Sequence, residues 1–333
     1  MPALKYPSIL TDLGHVGQHG LPLSAAAPFQ MELELCRQWG FQLKTADERV
    51  SLIYDQEQLV PYWIQRETPA VAWDWLRVHG FLSIESTNEE ALKMAQQGAP
   101  AGTLVVAEEQ TAGRGRKGHR WFSPARSGLY FSLVVRPGQP VAAWPLLTHV
   151  ASVALVETLK DFFRPKRVSL EIDIKWPNDV LISAKKCAGI LLEAGPGGGE
   201  SPAAIVGVGL NVHEGSVPPD LKDEAACLDE MAGGFVPRRQ ILVGFLKKFQ
   251  NWYKIFEQGK RREVLDQWKS LSSMWDGAAV WISDEAGRRP AVTCGLDENG
   301  ALLVRTAEGT VETVLAADVR LNRTSGPENA DVH

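Results

Sequence analysis

Nine consecutive residues, Gly113 to Trp121, read GRGRKGHRW. They hold three glycines and four basic side chains with no acid among them, and they constrain the fold more than any other stretch. The segment fits G-x-G-x-x-G, the glycine spacing of a dinucleotide-binding turn. That turn needs a strand before it, a helix after it, and an acidic residue about 20 positions on to hold a ribose. A strand is expected before the loop, in TLVVAEEQ. No helix can follow, because Pro124 and Gly128 break the next segment and GLYFSLVVRP then reads as another strand. No Asp or Glu occurs between Glu109 and Glu157. The match is therefore accidental, and the chain also lacks a G-x-x-x-x-G-K-[ST] phosphate loop. What remains is a strand–loop–strand carrying Arg114, Arg116, Lys117 and Arg120. Either it is a solvated basic turn, or its glycines let backbone N–H groups approach an anion that the guanidinium groups grip.

Bulk properties narrow the classes. The 333 residues allow one large domain or two to three smaller ones, and 44% hydrophobic with 23% charged residues suit a globular protein. A net charge of -5 excludes a nucleic-acid-binding polycation. No apolar run reaches the ~20 residues of a membrane span, and the N-terminal stretch is a poor signal peptide. The four cysteines, at 36, 187, 227 and 294, have no metal-site spacing and read as idle thiols. A cytoplasmic location is expected.

Along the chain, residues 1–62 suggest a degenerate winged-helix-like unit. PFQMELELCRQWG reads as a helix with Pro28 in its first turn and Met31, Leu35 and Trp39 on one face, and the alternation in FQLKTADERVSLIY reads as a hairpin. Residues 1–80 carry six basic and nine acidic side chains, and the candidate recognition helix contains Glu32 and Glu34, which argues against DNA binding.

The central unit spans 63–272. Ser86 and Glu89 form a capping box that opens a helix. PLLTHVASVALVETLKDFF has helical periodicity, and SLEIDIKW and AAIVGVGLNV read as strands. DVLISAKKCAGILLEA reads as a hairpin, followed by a flexible loop, GPGGGESP. RRQILVGFLKKFQNWYKIFEQG reads as a long amphipathic helix. Residues 276–322 form short strands of a small β-barrel, and 323–333 a disordered tail.

Three further stretches carry candidate chemistry. KWPND, Lys175 to Asp179, places a cation, an aromatic ring, a rigid bend and a carboxylate at a strand end. It is a structured turn or a phosphate site in which a cation such as Mg²⁺ separates like charges. KKCAGILLE brings Lys185 and Lys186 to the mouth of an apolar hairpin, and GVGLNV brings Asn211 into a buried strand.

Taken together, Ser86-Thr87-Asn88, Gly113 to Trp121, Lys175 to Asp179, Lys186 to Leu191 and Gly207 to Asn211 resemble, in order, the signatures of the biotin protein ligase family. The resemblance covers about residues 84–320. It implies an α+β fold: a mixed, largely antiparallel sheet with flanking helices, shared with lipoate ligases, and a C-terminal SH3-like barrel. It implies that ATP activates biotin to biotinyl-5′-AMP, and that a lysine of the biotin carboxyl carrier protein of acetyl-CoA carboxylase then takes the biotinyl group. It assigns biotin contacts to Ser86, Thr87, Asn88, Gln110, Arg114, Gly115, Arg116 and Lys186. ATP contacts fall on Gly113, Lys117, Trp121, Lys175, Trp176, Asn178, Asp179 and Asn211, with Mg²⁺ accompanying ATP through ligands not assigned. Arg114, Arg116 and Lys186 are the expected catalytic cations, and His119 and Arg120 receive no role. Lipoate or octanoate ligation, and a bifunctional ligase that also represses a biotin operon, are the alternatives. Some family members dimerise by extending the central sheet, so a homodimer is the oligomer the resemblance implies.

Overall fold

The computed structural model describes residues 3–54, 57–68, 76–166, 170–197, 200–284, 287–315 and 317–321. The expected tail at 323–333 lies outside them. In the N-terminal part, β1 (Leu4–Lys5) precedes α1 (Ile9–Val16), β2 (Leu21–Pro22), α2 (Leu23–Ala26) and α3 (Gln30–Gln38). Strands β3 (Leu43–Ala46) and β4 (Arg49–Leu52) follow, then α4 (Pro61–Glu67). A small sheet in the order β2-β4-β3 and these four helices surround a second core that includes Ile9, Leu13, Ala26, Leu33, Cys36, Val50 and Trp63.

Two expectations change here. Pro28 lies in a short 3-10 turn before α3 rather than in its first turn. Leu33 and Cys36 are the buried residues of α3, whereas Met31 is 89% exposed. Leu35 and Trp39 of the expected face pack against the same core but are only partly buried, so the buried stripe is shifted rather than reversed.

The central part comprises β5 (Arg77–Ser83), α5 (Thr87–Gln96), β6 (Thr103–Ala107), β7 (Gly128–Val135), α6 (Leu146–Phe163), β8 (Ile172–Lys175), β9 (Asp179–Ile182), β10 (Lys185–Gly197) and β11 (Glu200–Asn211). Helices α7 (Leu228–Ala232), α8 (Arg238–Glu257) and α9 (Arg261–Ser270) complete it. The strands, joined by β1, form an eight-stranded sheet in the order β1-β5-β6-β7-β11-β10-β9-β8. Only β5–β6 is parallel among these pairings. Most of the expected GPGGGESP loop continues the β10–β11 hairpin, with Gly195 opposite Ala203 and Gly197 opposite Glu200; Gly198 and Gly199 lie outside the described residues.

Alternation along the strands divides the sheet into two faces. Leu104, Val106, Leu129, Phe131, Leu133, Ala204, Val206 and Leu210 join the core beneath α6, α8 and α9. Val105, Ala107, Val134, Ala203 and Ile205 join a smaller core under α5 with Ala91 and Ala95. The sequence passed over one feature: Val141–Phe163 is long and apolar enough to cross a membrane. In the fold 72% of its most apolar 18-residue window is buried, with helix α6 packed in the main core.

The C-terminal part is an antiparallel five-stranded sheet, order β15-β14-β13-β12-β16. Its strands are β12 (Asp276–Asp284), β13 (Gly287–Leu296), β14 (Leu302–Arg305), β15 (Val311–Val314) and β16 (Asp318–Leu321). Trp176 Nε1 donates to Gly300 O at 3.0 Å and links this sheet to the central one. Three cysteines are buried and Cys294 is partly so. Burial, with the nearby Glu32 charge adding to it, pushes the Cys36 thiol up to about 12, as an idle thiol requires.

Candidate active site

On the α5 face of β11, side chains stop where the site begins. Ala203 and Ile205 fill that face, and then Gly207 and Gly209 leave it bare. A Cβ on Gly207 would overlap Asn88 Oδ1, and one on Gly209 would stand 2.5 Å from Trp121 Nε1. Omitting two side chains at period two opens a slot in the layer between sheet and helix. Its volume is about 170 Å³, and Ser86, Thr87, Asn88, Gln110, Arg114, Gly115, Arg116, Trp121, Asn178 and Lys186 are among its lining residues.

The parallel β5–β6 pairing carries Ser86 to Asn88 beside Gln110, through a bridge between Ile84 and Gln110. Ser86 caps α5, its side chain accepting from Glu89 N at 3.5 Å. Gln110 Oε1 accepts from Thr87 N at 2.8 Å and Thr87 Oγ1 at 3.1 Å, and Gln110 Nε2 donates to Ser123 Oγ at 2.9 Å. Buried Ser132 on β7 donates to Asn88 Oδ1 at 2.6 Å. The polar groups lining the slot are thus oriented before any ligand arrives.

The glycine loop is a tight hairpin. Gly115 N donates to His119 O at 2.7 Å, and Trp121 N donates to Gly113 O at 2.9 Å. At its tip Lys117 and Gly118 have φ of 53° and 77°, the left-handed region where glycine is easiest to place. The hairpin lays Trp121 across Gly209 and Gly189 and points Arg116 inward.

Lys186 reaches the site through a β-bulge. Lys186 pairs with Leu181, but Ala188 pairs with Val180, so two steps on β10 answer one on β9. Cys187 and Ala188 both enter the main core. Unbroken alternation would have put Lys186 on that core face with Ala188 and Ile190. The bulge turns it to the cavity face instead. Its Nζ lies 2.7 Å from Asp179 Oδ1 and 5.3 Å from the centre of the Trp121 ring.

A second, larger cavity of about 520 Å³ adjoins the first. Lys117, Lys175 and Asp179 line it, with Asp223 and Glu224 on one wall and Met274, Ala317 and Arg320 on another. Arg116, His119 and Lys186 line both cavities. Burial pulls the Arg116 guanidinium below its ordinary value, and the Asp179 charge opposes that pull. Arg116 Nη1 donates to Asn178 Oδ1 at 3.4 Å, and Asn178 Nδ2 to Ile190 O at 2.8 Å.

The other expected residues are placed as follows. Arg114 lines the slot, but its guanidinium is held by Glu89 at 3.2 Å and Glu193 at 3.0 Å. Trp121 and Asn178 border the slot rather than the larger cavity. Gly113, Trp176 and Asn211 line neither cavity; Trp176 is 2% exposed, and Asn211 Nδ2 donates to Ala226 O at 3.4 Å. Lys185 lines neither, its Nζ donating to Lys222 O at 2.8 Å. Sequence reasoning missed Ser132, Glu193 and the wall at 221–225. The glycine loop and the Ser86-Thr87-Asn88, Gln110 and Lys186 positions had pointed to the slot.

A model of the Biotin/lipoate A/B protein ligase family matches residues 80–211. The Bacillus subtilis protein "Bifunctional ligase/repressor BirA" is 32% identical over 298 residues, covering 87% of this chain and 85% of its own length. The chain belongs to the biotin protein ligase family. A second member, the "Biotin--[acetyl-CoA-carboxylase] ligase" of Paracoccus denitrificans, is 32% identical over 71% of this chain and 96% of its own length. Among solved structures, the biotin protein ligase of Aquifex aeolicus in complex with biotin and ATP superposes with a TM-score of 0.62 at 30% identity, over 74% of this chain and 99% of that one. Within this ligase fold, the slot is built from the matched region, whereas the larger cavity also takes Leu221, Asp223, Glu224, Ala225, Met274, Ala317 and Arg320 from beyond it.

Proposed function

We propose that the two cavities are the biotin and nucleotide halves of one adenylation site, divided by Arg116 and Lys186. The protein is an ATP-dependent biotin–protein ligase. It activates biotin to biotinyl-5′-AMP and transfers the biotinyl group to a lysine of a carboxyl carrier protein. The sharing of Arg116 and Lys186, with His119, by a small slot and a larger charged cavity is the observation that carries the site assignment.

The chemistry explains why cations belong at that junction. Biotin's carboxylate oxygen attacks the α-phosphorus, the bond to the β-phosphate oxygen breaks, and pyrophosphate leaves. Both reactants are anions, and two unit charges 4 Å apart near a protein surface repel by about 4 kcal/mol. Arg116 and Lys186 offset this repulsion and stabilise charge as it develops on the transferring phosphorus. The polar groups around Asn88 and Gln110 orient the head of biotin, and Trp121 covers its tail. In the second step the unprotonated carrier lysine attacks the acyl carbonyl, AMP departs with the anhydride oxygen, and the amine loses a proton.

Mg²⁺ is proposed as the nucleotide's companion. The described residues include no cluster of three or more His, Cys, Asp or Glu that could hold a metal, so a resident all-protein site does not fit. Asp179, beside Lys186 at the nucleotide cavity, suits a cation held chiefly by phosphate oxygens. When bound, it would neutralise phosphate charge.

The direct test is pyrophosphate release on offering biotin, lipoate or octanoate with ATP, followed by transfer of label to a carrier domain. Biotin should turn over at least about 100-fold faster than the others, because a site built to hydrogen-bond its ligand strongly rejects one lacking those groups. Comparable rates with lipoate would overturn the biotin assignment.

Repressor activity is a second reading, favoured by one observation: the similarity to the bifunctional Bacillus protein spans 87% of this chain. The surface opposes tight binding. Glu32 caps α1 through Ile9 N at 2.9 Å, Glu34 pairs with Arg37, and the β3–β4 turn presents Asp47 and Glu48. A gel shift with operator-like DNA at physiological salt should show no specific complex. A salt-sensitive, sequence-specific shift would establish the second role.

A further inference from the structure

We infer that Glu193 is a positioning residue of this site, coupling the floor of the slot to the loop above it; the inference rests on the adenylation reading. Glu193 lies on β10, on the face that also carries Gly189 and Leu191. Its two oxygens serve different partners. Oε2 accepts from Asn88 Nδ2 at 2.8 Å, and Oε1 pairs with Arg114 Nη2 at 3.0 Å.

The first bond settles which way the Asn88 amide faces. Asn88 is 4% exposed, and its Oδ1 takes the Ser132 hydroxyl at 2.6 Å while its Nδ2 goes to Glu193. The carboxylate, which only accepts, fixes the orientation: a flipped amide would set Asn88 Oδ1 against Glu193, whereas the Ser132 hydroxyl can serve either end and also reaches Thr87 Oγ1 at 2.8 Å. The second bond ties down the glycine loop. Glu89 shares Arg114 from α5, but that acid is half exposed, whereas the Glu193 side chain is 21% exposed. An ordinary exposed ion pair contributes little. Here the same carboxylate also receives a hydrogen bond from a buried amide at the bottom of the slot, so displacing one partner disturbs the other.

Separating the two bonds tests the inference. Glu193→Gln keeps an oxygen for Asn88 but presents no charge to Arg114, and Glu193→Ala removes both. Biotin affinity is measured by calorimetry without ATP, and free biotinyl-adenylate is measured after mixing biotin and ATP without carrier. Losing a hydrogen bond to a charged group corresponds to roughly tenfold or more. Glu193→Ala should therefore weaken biotin binding by at least about tenfold, and Glu193→Gln by less than about threefold. Both variants should release at least about fivefold more adenylate than wild type, a modest change suited to an ion pair partly shared with Glu89. Thermal melting checks that each variant is folded, and Glu193→Gln carries the loop half of the test should Glu193→Ala fail to fold. Adenylate release from Glu193→Gln at the wild-type level, or equal losses of biotin affinity in the two variants, would overturn the inference. Wild-type protein in the same assays keeps the two claims apart. No biotin binding there would overturn the adenylation reading and this inference with it, whereas normal wild-type behaviour beside unaffected variants overturns this inference alone.

Discussion

Replacing Lys186 by alanine should slow biotin adenylation by at least about 100-fold, a larger loss than its effect on biotin affinity. The ammonium lines both cavities and stands 2.7 Å from Asp179. A carboxylate and a phosphate brought to about 4 Å repel by about 4 kcal/mol, which Arg116 and Lys186 share in offsetting. Removing one of two cations returns about half of that. Seen as a lost charge-assisted hydrogen bond, the same change is worth about 1.5–3 kcal/mol. The two figures describe one interaction and do not add. About 2.7 kcal/mol, a factor of 100, also agrees with the loss of one preorganised charge-stabilising group. A further penalty comes from Asp179, whose side chain is 16% exposed and would face the phosphates without its cation. Initial rates of pyrophosphate release and biotin calorimetry supply the two readouts. Adenylation by Lys186→Ala within about threefold of wild type would refute this reasoning, being under 1 kcal/mol.

Arg116→Gly removes the cation at the hairpin's inner side and should let biotinyl-adenylate escape, seen as labelling of lysines on unrelated proteins; escape no greater than wild type would deny Arg116 a retaining role. Gly209→Ala places a methyl group 2.5 Å from Trp121 Nε1, and overpacking of about 1–3 kcal/mol should raise the biotin dissociation constant by about tenfold or more. His213 should make stability depend on pH. Burial pulls its imidazolium down, but hydrogen bonds and charges from Glu57 and Asp229 outweigh this and hold it above its ordinary value. That contribution is complete below the unfolded value of about 6.5 and fades as pH rises through the higher folded one. His213→Gln should accordingly lower the thermal midpoint more at pH 6 than at pH 9, and equal losses at both would refute the assignment.

The site was legible in the sequence because its chemistry needs unusual local backbone. Glycines at 113, 115, 118, 207 and 209, and a basic loop where a helix was impossible, are visible without a fold. What stayed hidden depends on pairing across strands. Glu193 and Ser132 gain meaning only when β10 and β7 bring them to Asn88. The bulge that aims Lys186 leaves no mark on KKCAGIL, since either alternation suits a small thiol and an alanine. In the N-terminal unit β2 has two residues and α2 four, too short to show periodicity, and in α3 the core takes Leu33 and Cys36 fully, Leu35 and Trp39 in part, and leaves Met31 exposed. GPGGGESP misled because glycine and proline weaken a strand on average, whereas the long β10–β11 ladder carries pairing through them.

The central claim is that Arg116 and Lys186 divide one site between an acid and a nucleotide. A crystal structure with biotin and a non-hydrolysable ATP analogue tests it most directly. The account predicts the biotin carboxylate and the α-phosphate on either side of these two side chains, each within about 3.5 Å of at least one of their nitrogens. Biotin or the α-phosphate bound away from both residues would contradict it.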